Sequence, residues 1–313
     1  MQSGLRLFLS LLLVAISGVA VLAEEDVHTT SLEMKRGVPY VRLMINGRGP
    51  YLFAVDTGTG NEAVVSPKLA AELALPVVGE ALLTDLSNRT HTPVDKVEMD
   101  RVTVAGMDFN GVTAIVRKPV DYNGKCMGLL GFAFFREVLL TLDYPKRRLE
   151  LSRSVLKDEE GVMPMRLHKG SPMVELSMGK QRIDAQIDTA GLGLTLPLWV
   201  GPSLDFITGT DVKGSERTVV AEYTLRGGQL NGAIGIGDYH YDAPYVEVNP
   251  TFPIANIGSV ALQNFVMSFD QRSGLERITA SRDWLTVSPS PMMVSTGPDP
   301  FAFIRMQADK GGM

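Results

Sequence analysis

Short runs in which apolar and polar residues alternate dominate the chain, and Gly, Asn, Asp and Pro break them at short intervals. A period of two puts alternate side chains on opposite faces of a strand, and frequent breaks fold such strands into hairpins. Positions 38–46 predict one strand, Asn46-Gly47-Arg48-Gly49-Pro50 a turn, and positions 51–55 the returning strand. Asn-Gly between apolar runs is a strong hairpin signal. Positions 173–178 and 182–187 repeat the design around Gly179-Lys180. Helical patterning is sparse. The clearest helix is predicted over 66–75, with Ser66 as N-cap, Pro67 at the first helical position and Pro76 closing it. After Trp284 the pattern ends, and Ser288-Pro289-Ser290-Pro291 and Gly297-Pro298-Asp299-Pro300 predict a mobile tail.

The two halves echo each other. Phe53-Ala54-Val55-Asp56-Thr57-Gly58-Thr59 matches Ala185-Gln186-Ile187-Asp188-Thr189-Ala190-Gly191, and the two are 132 positions apart. Val104-Ala105-Gly106-Met107-Asp108-Phe109-Asn110 matches Ile236-Gly237-Asp238-Tyr239-His240-Tyr241-Asp242 at the same offset. A third block, Leu129-Leu130-Gly131 followed by a short amphipathic piece and a strand, matches Asn256-Ile257-Gly258 and its sequel at an offset of 127. Three co-linear blocks argue against chance similarity of two ordinary turns. The expected fold is mainly β, with two β-barrel-like lobes related by a pseudo-two-fold axis and few short helices. The expected division is a signal peptide over 1–23, an N-terminal lobe over 24–160, a C-terminal lobe over 161–285 and a tail over 286–313. Lys157-Asp158-Glu159-Glu160 reads as a solvated linker between the lobes.

Composition narrows the function. The chain has 313 residues, 45% of them hydrophobic and 21% charged, enough for two cores, and its net charge of −5 leaves no basic excess for nucleic acid. Arg6, an apolar run from Leu7 to Leu22, Ala23 and then Glu24-Glu25-Asp26 read as an export signal, so a periplasmic or secreted protein is expected. That run is shorter than the roughly 20 residues of a membrane span, and no later stretch would span a bilayer. Cys126, the one cysteine, cannot form an internal disulfide and reads as a small buried hydrophobe. His28, His91, His168 and His240 lack metal-ligand spacing, so no metal or cofactor is expected. Gly232-Ala233-Ile234-Gly235-Ile236-Gly237 lacks the helix of a phosphate loop, and no Gly-x-Ser-x-Gly elbow occurs.

One carboxylate at the end of a strand in each half remains. Two acids meeting across a symmetric interface can share a proton and activate water. At about 4 Å they repel by roughly 4 kcal/mol at an effective dielectric near 20, which separates their titrations by about 3 units. Residues 38–285 resemble the aspartic proteases: strand-Asp56-Thr57-Gly58-Thr59 with Leu129-Leu130-Gly131, and Asp188-Thr189-Ala190-Gly191 with Asn256-Ile257-Gly258. The arrangement is similar to a bilobal, pepsin-like protein built from short retropepsin-like lobes, as in exported bacterial members. The resemblance implies an aspartic endopeptidase with Asp56 and Asp188 as its catalytic pair. It further implies that Thr57 and Thr189 brace the loops from below. Gly58 would admit backbone N–H groups to Asp56, and Thr59 would donate its hydroxyl there. A substrate flap would lie over 83–93, with Ser87, Asn88, Arg89, Thr90 and His91. The expected partner is a peptide or unfolded protein, and since both acids lie on one chain a monomer suffices.

The second loop departs from the family pattern. Ala190 stands where Gly is usual, and Gly191 lacks the hydroxyl that Thr59 carries. Two functions therefore stay open: an active endopeptidase, and a peptide-binding scaffold that keeps the fold with weak or no turnover.

Overall fold

Turn chemistry sets the first hairpin. Asn46 and Gly47 have φ of 51° and 75°, the left-handed pair that matches a two-residue loop to strand twist. They join Val38–Ile45 to Arg48–Asp56. The second strand starts at Arg48, earlier than the predicted position 51, because a two-residue loop already pairs Arg48 with Ile45. The computed structural model describes residues 26–84, 91–119, 124–207, 211–217, 222–250, 252–280 and 284–285. The leader and tail expectations lie outside them.

The protein is mainly β, as the alternation predicts. Among the described residues the strands form sheets of eight, eleven and six. The eight-stranded sheet is built from residues 33–131 and the eleven-stranded sheet from residues 166–285. Both repeat one core arrangement. In the first, Arg48–Asp56 runs parallel to Gly128–Gly131, bringing Asp56 opposite Gly131. In the second, Gln181–Asp188 runs parallel to Ala255–Gly258, bringing Asp188 opposite Gly258. Ala63–Val65 and Leu194–Pro197 lie antiparallel against those Gly-ending strands.

The six-stranded sheet joins the halves. At its centre Leu139–Asp143 pairs antiparallel with Phe265–Asp270, Thr141 facing Ser268. Their hydroxyls hydrogen-bond at 2.8 Å, and the two residues are 127 apart, the offset of their sequence block. The pseudo-two-fold axis therefore passes through this pair. Phe132 and Phe269 meet edge to face across the same junction, with ring centroids 5.3 Å apart, inside a core continuous between the halves.

Helices are short. Ser66 caps Pro67–Leu73, its hydroxyl accepting from the Leu69 N–H at 3.1 Å. The helix ends before the predicted position 75, because Ala74 turns left-handed at φ 50° and its N–H, with that of Leu75, closes on the last carbonyls. Alternation did not single out Asp211–Arg217 and Glu222–Gln229, which pair as a hairpin on the second lobe. On the first lobe Val77–Thr84 pairs with His91–Val104.

One buried acid lies in the six-stranded sheet. Glu276 is 1% exposed on Leu275–Ala280, opposite Phe269, and its Oε2 has no hydrogen-bond partner. Burial pushes its carboxyl up to about 8, against a smaller pull from Arg166. The fold therefore binds this proton more tightly than the unfolded chain does. Its stability contribution is complete below the ordinary carboxylate range and is lost as pH rises toward 8. Glu276→Gln is expected to raise stability at pH 8 by about 3 kcal/mol and to change little at pH 4. Thermal unfolding at the two pH values checks this, and equal shifts at both would contradict it.

Candidate active site

Each Asp-Thr loop sits at the end of a strand that is apolar on its core face. Phe53 and Val55 anchor the first and Ala185 and Ile187 the second, all at most 1% exposed. The loops then cross under one another. Thr57 and Thr189 are fully buried. The Thr57 N–H donates to Thr189 Oγ1 at 3.0 Å, and the Thr189 N–H donates to Thr57 Oγ1 at 3.2 Å. The Thr57 hydroxyl donates to the Ile187 carbonyl at 2.7 Å, and the Thr189 hydroxyl to the Val55 carbonyl at 2.6 Å. Four reciprocal bonds between loops 132 residues apart satisfy groups that would cost roughly 1–3 kcal/mol each if buried alone.

This lock brings the two carboxyl groups to one place. The Gly58 N–H donates to Asp56 Oδ1 at 3.0 Å. A Cβ on Gly58 would lie 2.5 Å from Asp188 Oδ1. Both acids thus press on the same glycine, and a side chain there would push them apart. In the second loop the N–H groups of Ala190 and Gly191 donate to Asp188 Oδ1 at 3.0 and 2.8 Å. Ala190 is not among the residues with positive φ, so alanine sits there without backbone strain.

The electrostatics of the pair follow from this packing. Burial, then the neighbouring Asp188 carboxylate, push the Asp56 carboxyl up to about 7, against the pull of Arg117 and the N–H groups of Gly58 and Thr59. Burial also raises Asp188, against the Gly191 N–H, the Asn256 amide and the Ala190 N–H. Two neighbouring acids raised this way can hold one proton between them. The ionised member can take a proton from a water while the protonated member donates to a carbonyl oxygen. Among the described residues no cluster of three or more His, Cys, Asp or Glu could hold a metal.

Thr59 differs from its expected role. Its hydroxyl accepts from Asn61 Nδ2 at 3.1 Å, and its backbone N–H is the group that acts on Asp56. The flap expectation is only partly visible. His91 opens a strand, paired with Thr84, whereas Ser87, Asn88, Arg89 and Thr90 lie outside the described residues.

Three site residues escaped the sequence reading. Asn256 Nδ2 donates to Asp188 Oδ2 at 3.1 Å, and Gln186 Nε2 donates to the Gly58 carbonyl at 2.8 Å. Register pairing puts Gln186 beside Asn256, where the first lobe pairs Ala54 with Leu129. Polar residues at two positions where the matched half is apolar were the available signal. Arg117, charged and acting on Asp56, follows the strand Met107–Val116 with no motif to mark it.

The family model described as Aspartyl protease matches residues 41–134. No curated protein matches the sequence. Among solved structures, a retropepsin-like aspartic protease from Rickettsia conorii is similar at 19% identity and a TM-score of 0.32, covering 41% of this chain and 93% of its own. Basic 7S globulin from soybean is similar at 10% identity and a TM-score of 0.48, covering 82% of this chain and 96% of its own. The two interlocked Asp-Thr loops are each strapped to a Gly-ending strand, the family match lies over the first of them, and the chain is similar there to the aspartyl proteases.

Proposed function

We propose that this protein is an aspartic endopeptidase that hydrolyses peptide bonds in peptides or unfolded segments, with Asp56 and Asp188 activating a water. The supporting observation is the shared contact at Gly58, which donates its N–H to one carboxyl group and abuts the other. A binding scaffold has no use for two raised carboxyl groups pressed together, because their repulsion costs stability and returns only a mobile proton. The donors around Asp188 also support this reading despite the departure in its loop. The missing hydroxyl is matched by other N–H groups, so the second carboxylate is no less well held than the first.

The test is cleavage of a denatured protein mixture by the full chain between pH 3 and 8, beside Asp56→Asn and Asp188→Asn. Activity that falls at least about a thousandfold in each variant supports the dyad. Cleavage that survives either change removes it. No cleavage by the unaltered chain at any pH, with peptide still bound, leaves a scaffold instead.

A further inference from the structure

The two loops differ at matched positions, and the differences fit together. In the first lobe Thr59 carries a side chain beside Asp56, and Leu129 on the neighbouring strand is buried and apolar. In the second lobe the corresponding residues are Gly191 and Asn256. A Cβ on Gly191 would lie 2.8 Å from Asn256 Nδ2 and 2.7 Å from Asp188 Oδ2. Gly191 has no left-handed φ, so glycine is there for space and not for backbone freedom. Asn256 sits in the middle of the sheet, between Gln181–Asp188 and Leu194–Pro197, so its backbone is fixed on both sides.

On the proteolytic reading above, we infer that Asn256 is the positioning residue of the second carboxylate and that Gly191 is the space it requires. The pair replaces, as one unit, the side-chain-bearing fourth position of the first loop. The replacement has a chemical consequence. A threonine hydroxyl can donate to a carboxylate or accept from a carboxylic acid, whereas an amide NH2 only donates. Asn256 therefore favours the ionised form of Asp188 and leaves the shared proton on Asp56. The other groups acting on the pair are Arg117, which faces Asp56, and Tyr144, whose hydroxyl lies 3.4 Å from Ser259 Oγ and feels Asp188. Gln186, beside Asn256 in register, ties the first loop to the same strand pair through the Gly58 carbonyl.

The experiment uses the full chain with Asn256→Leu, Gly191→Thr and the double variant, each borrowing the residue of the first lobe. Two readouts are taken: kcat/KM on a peptide substrate against pH, and the carboxyl-carbon titration of Asp188 by NMR, which needs no turnover. Asn256→Leu is expected to raise the Asp188 midpoint by about one unit and to lower kcat about ten- to hundredfold with KM little changed. Gly191→Thr alone is expected to cost a similar factor, by displacing the amide. The double variant is expected to lose less than the product of the two single losses, because without the amide Asp188 can shift off the new Cβ and meet the new hydroxyl. An unmoved Asp188 midpoint in Asn256→Leu, or a double-variant loss equal to the product of the two single losses, overturns the inference. If Asn256→Leu does not fold, Asn256→Ala, which only removes atoms, gives the same titration readout. A shifted midpoint in a protein that cleaves nothing upholds the positioning role while the proteolytic reading falls.

Discussion

Asp56→Asn is expected to abolish cleavage and, at pH 8, to unfold at a higher temperature than the unaltered protein. The reason is the direction of the Asp56 shift. Its carboxyl goes from an ordinary 3.8 up to about 7 in the fold, through burial first and the Asp188 charge second. Between those values the folded protein binds a proton that the unfolded chain has released. Stability is therefore complete below pH 3.8 and falls as pH climbs through 7. Three units at about 1.4 kcal/mol each set a ceiling near 4 kcal/mol, and sharing the shift with Asp188 leaves about 2–4 kcal/mol. Asparagine removes the titration and keeps an oxygen for the Gly58 N–H. Asp188→Asn gains less. Its carboxylate accepts the N–H groups of Ala190 and Gly191 on one oxygen and the Asn256 amide on the other, so an NH2 placed there would face a donor. Thermal unfolding at pH 4 and pH 8 separates the outcomes. A stability gain for Asp56→Asn confined to pH 8 fits a strained dyad, and a loss at pH 8 would mean that Asp56 is held as a satisfied anion.

The repeat made much of the fold legible. Alternation found the hairpins around Asn46-Gly47 and Gly179-Lys180, and the repeat matched the Asp-ending strands to Gly131 and Gly258. These are local signals: turn residues, period-two faces and a copied motif. The hairpin Asp211–Arg217 with Glu222–Gln229 was not legible, because it is rich in charge and glycine and pairs with Tyr245–Asn249 through long-range contacts. Asn256 and Gln186 were legible only as mismatches within a match. A polar residue in an apolar strand gives no direction, and its function depends on which loop the strand passes. Thr59 shows the opposite failure, since the motif suggested that its hydroxyl donates to Asp56, whereas that hydroxyl accepts from the Asn61 amide and the Thr59 backbone N–H acts on Asp56. Arg117 reaches the site from a strand end far along the chain, and only the folded geometry reveals it.

Gly131→Ala and Gly258→Ala are expected to be strongly destabilising single-methyl changes. Each glycine ends the strand beside an Asp loop, and the adjacent N–H groups tie that loop down. Gly131 and Phe132 donate to the carbonyls of Glu62 and Thr59, and Gly258 and Ser259 donate to those of Gly193 and Gly191. The backbone at the two sites is nearly identical, at φ −82°, ψ 172° and φ −88°, ψ 173°. Any residue can adopt that conformation, so strain in φ is not the issue. Space is. A Cβ on Gly131 would lie 1.9 Å from the Asn61 carbonyl oxygen, and one on Gly258 would lie 2.6 Å from the Leu192 carbonyl carbon. Both obstacles are backbone beside hydrogen-bonded carbonyls, Glu62 accepting from Gly131 and Leu192 from Val260, so relief requires moving the Asp loop and with it the Thr57–Thr189 lock. A loss of about 4 kcal/mol or more is expected, beyond the usual cost of overpacking. Gly201→Ala is the control. Its Cβ would meet nothing closer than 3.9 Å, and a change within about 1 kcal/mol is expected. Denaturant unfolding of the three variants distinguishes the cases. If Gly131→Ala matched Gly201→Ala, the Asp loop would have slack, and the close fit that presses Asp188 onto Gly58 could not be what raises the acids.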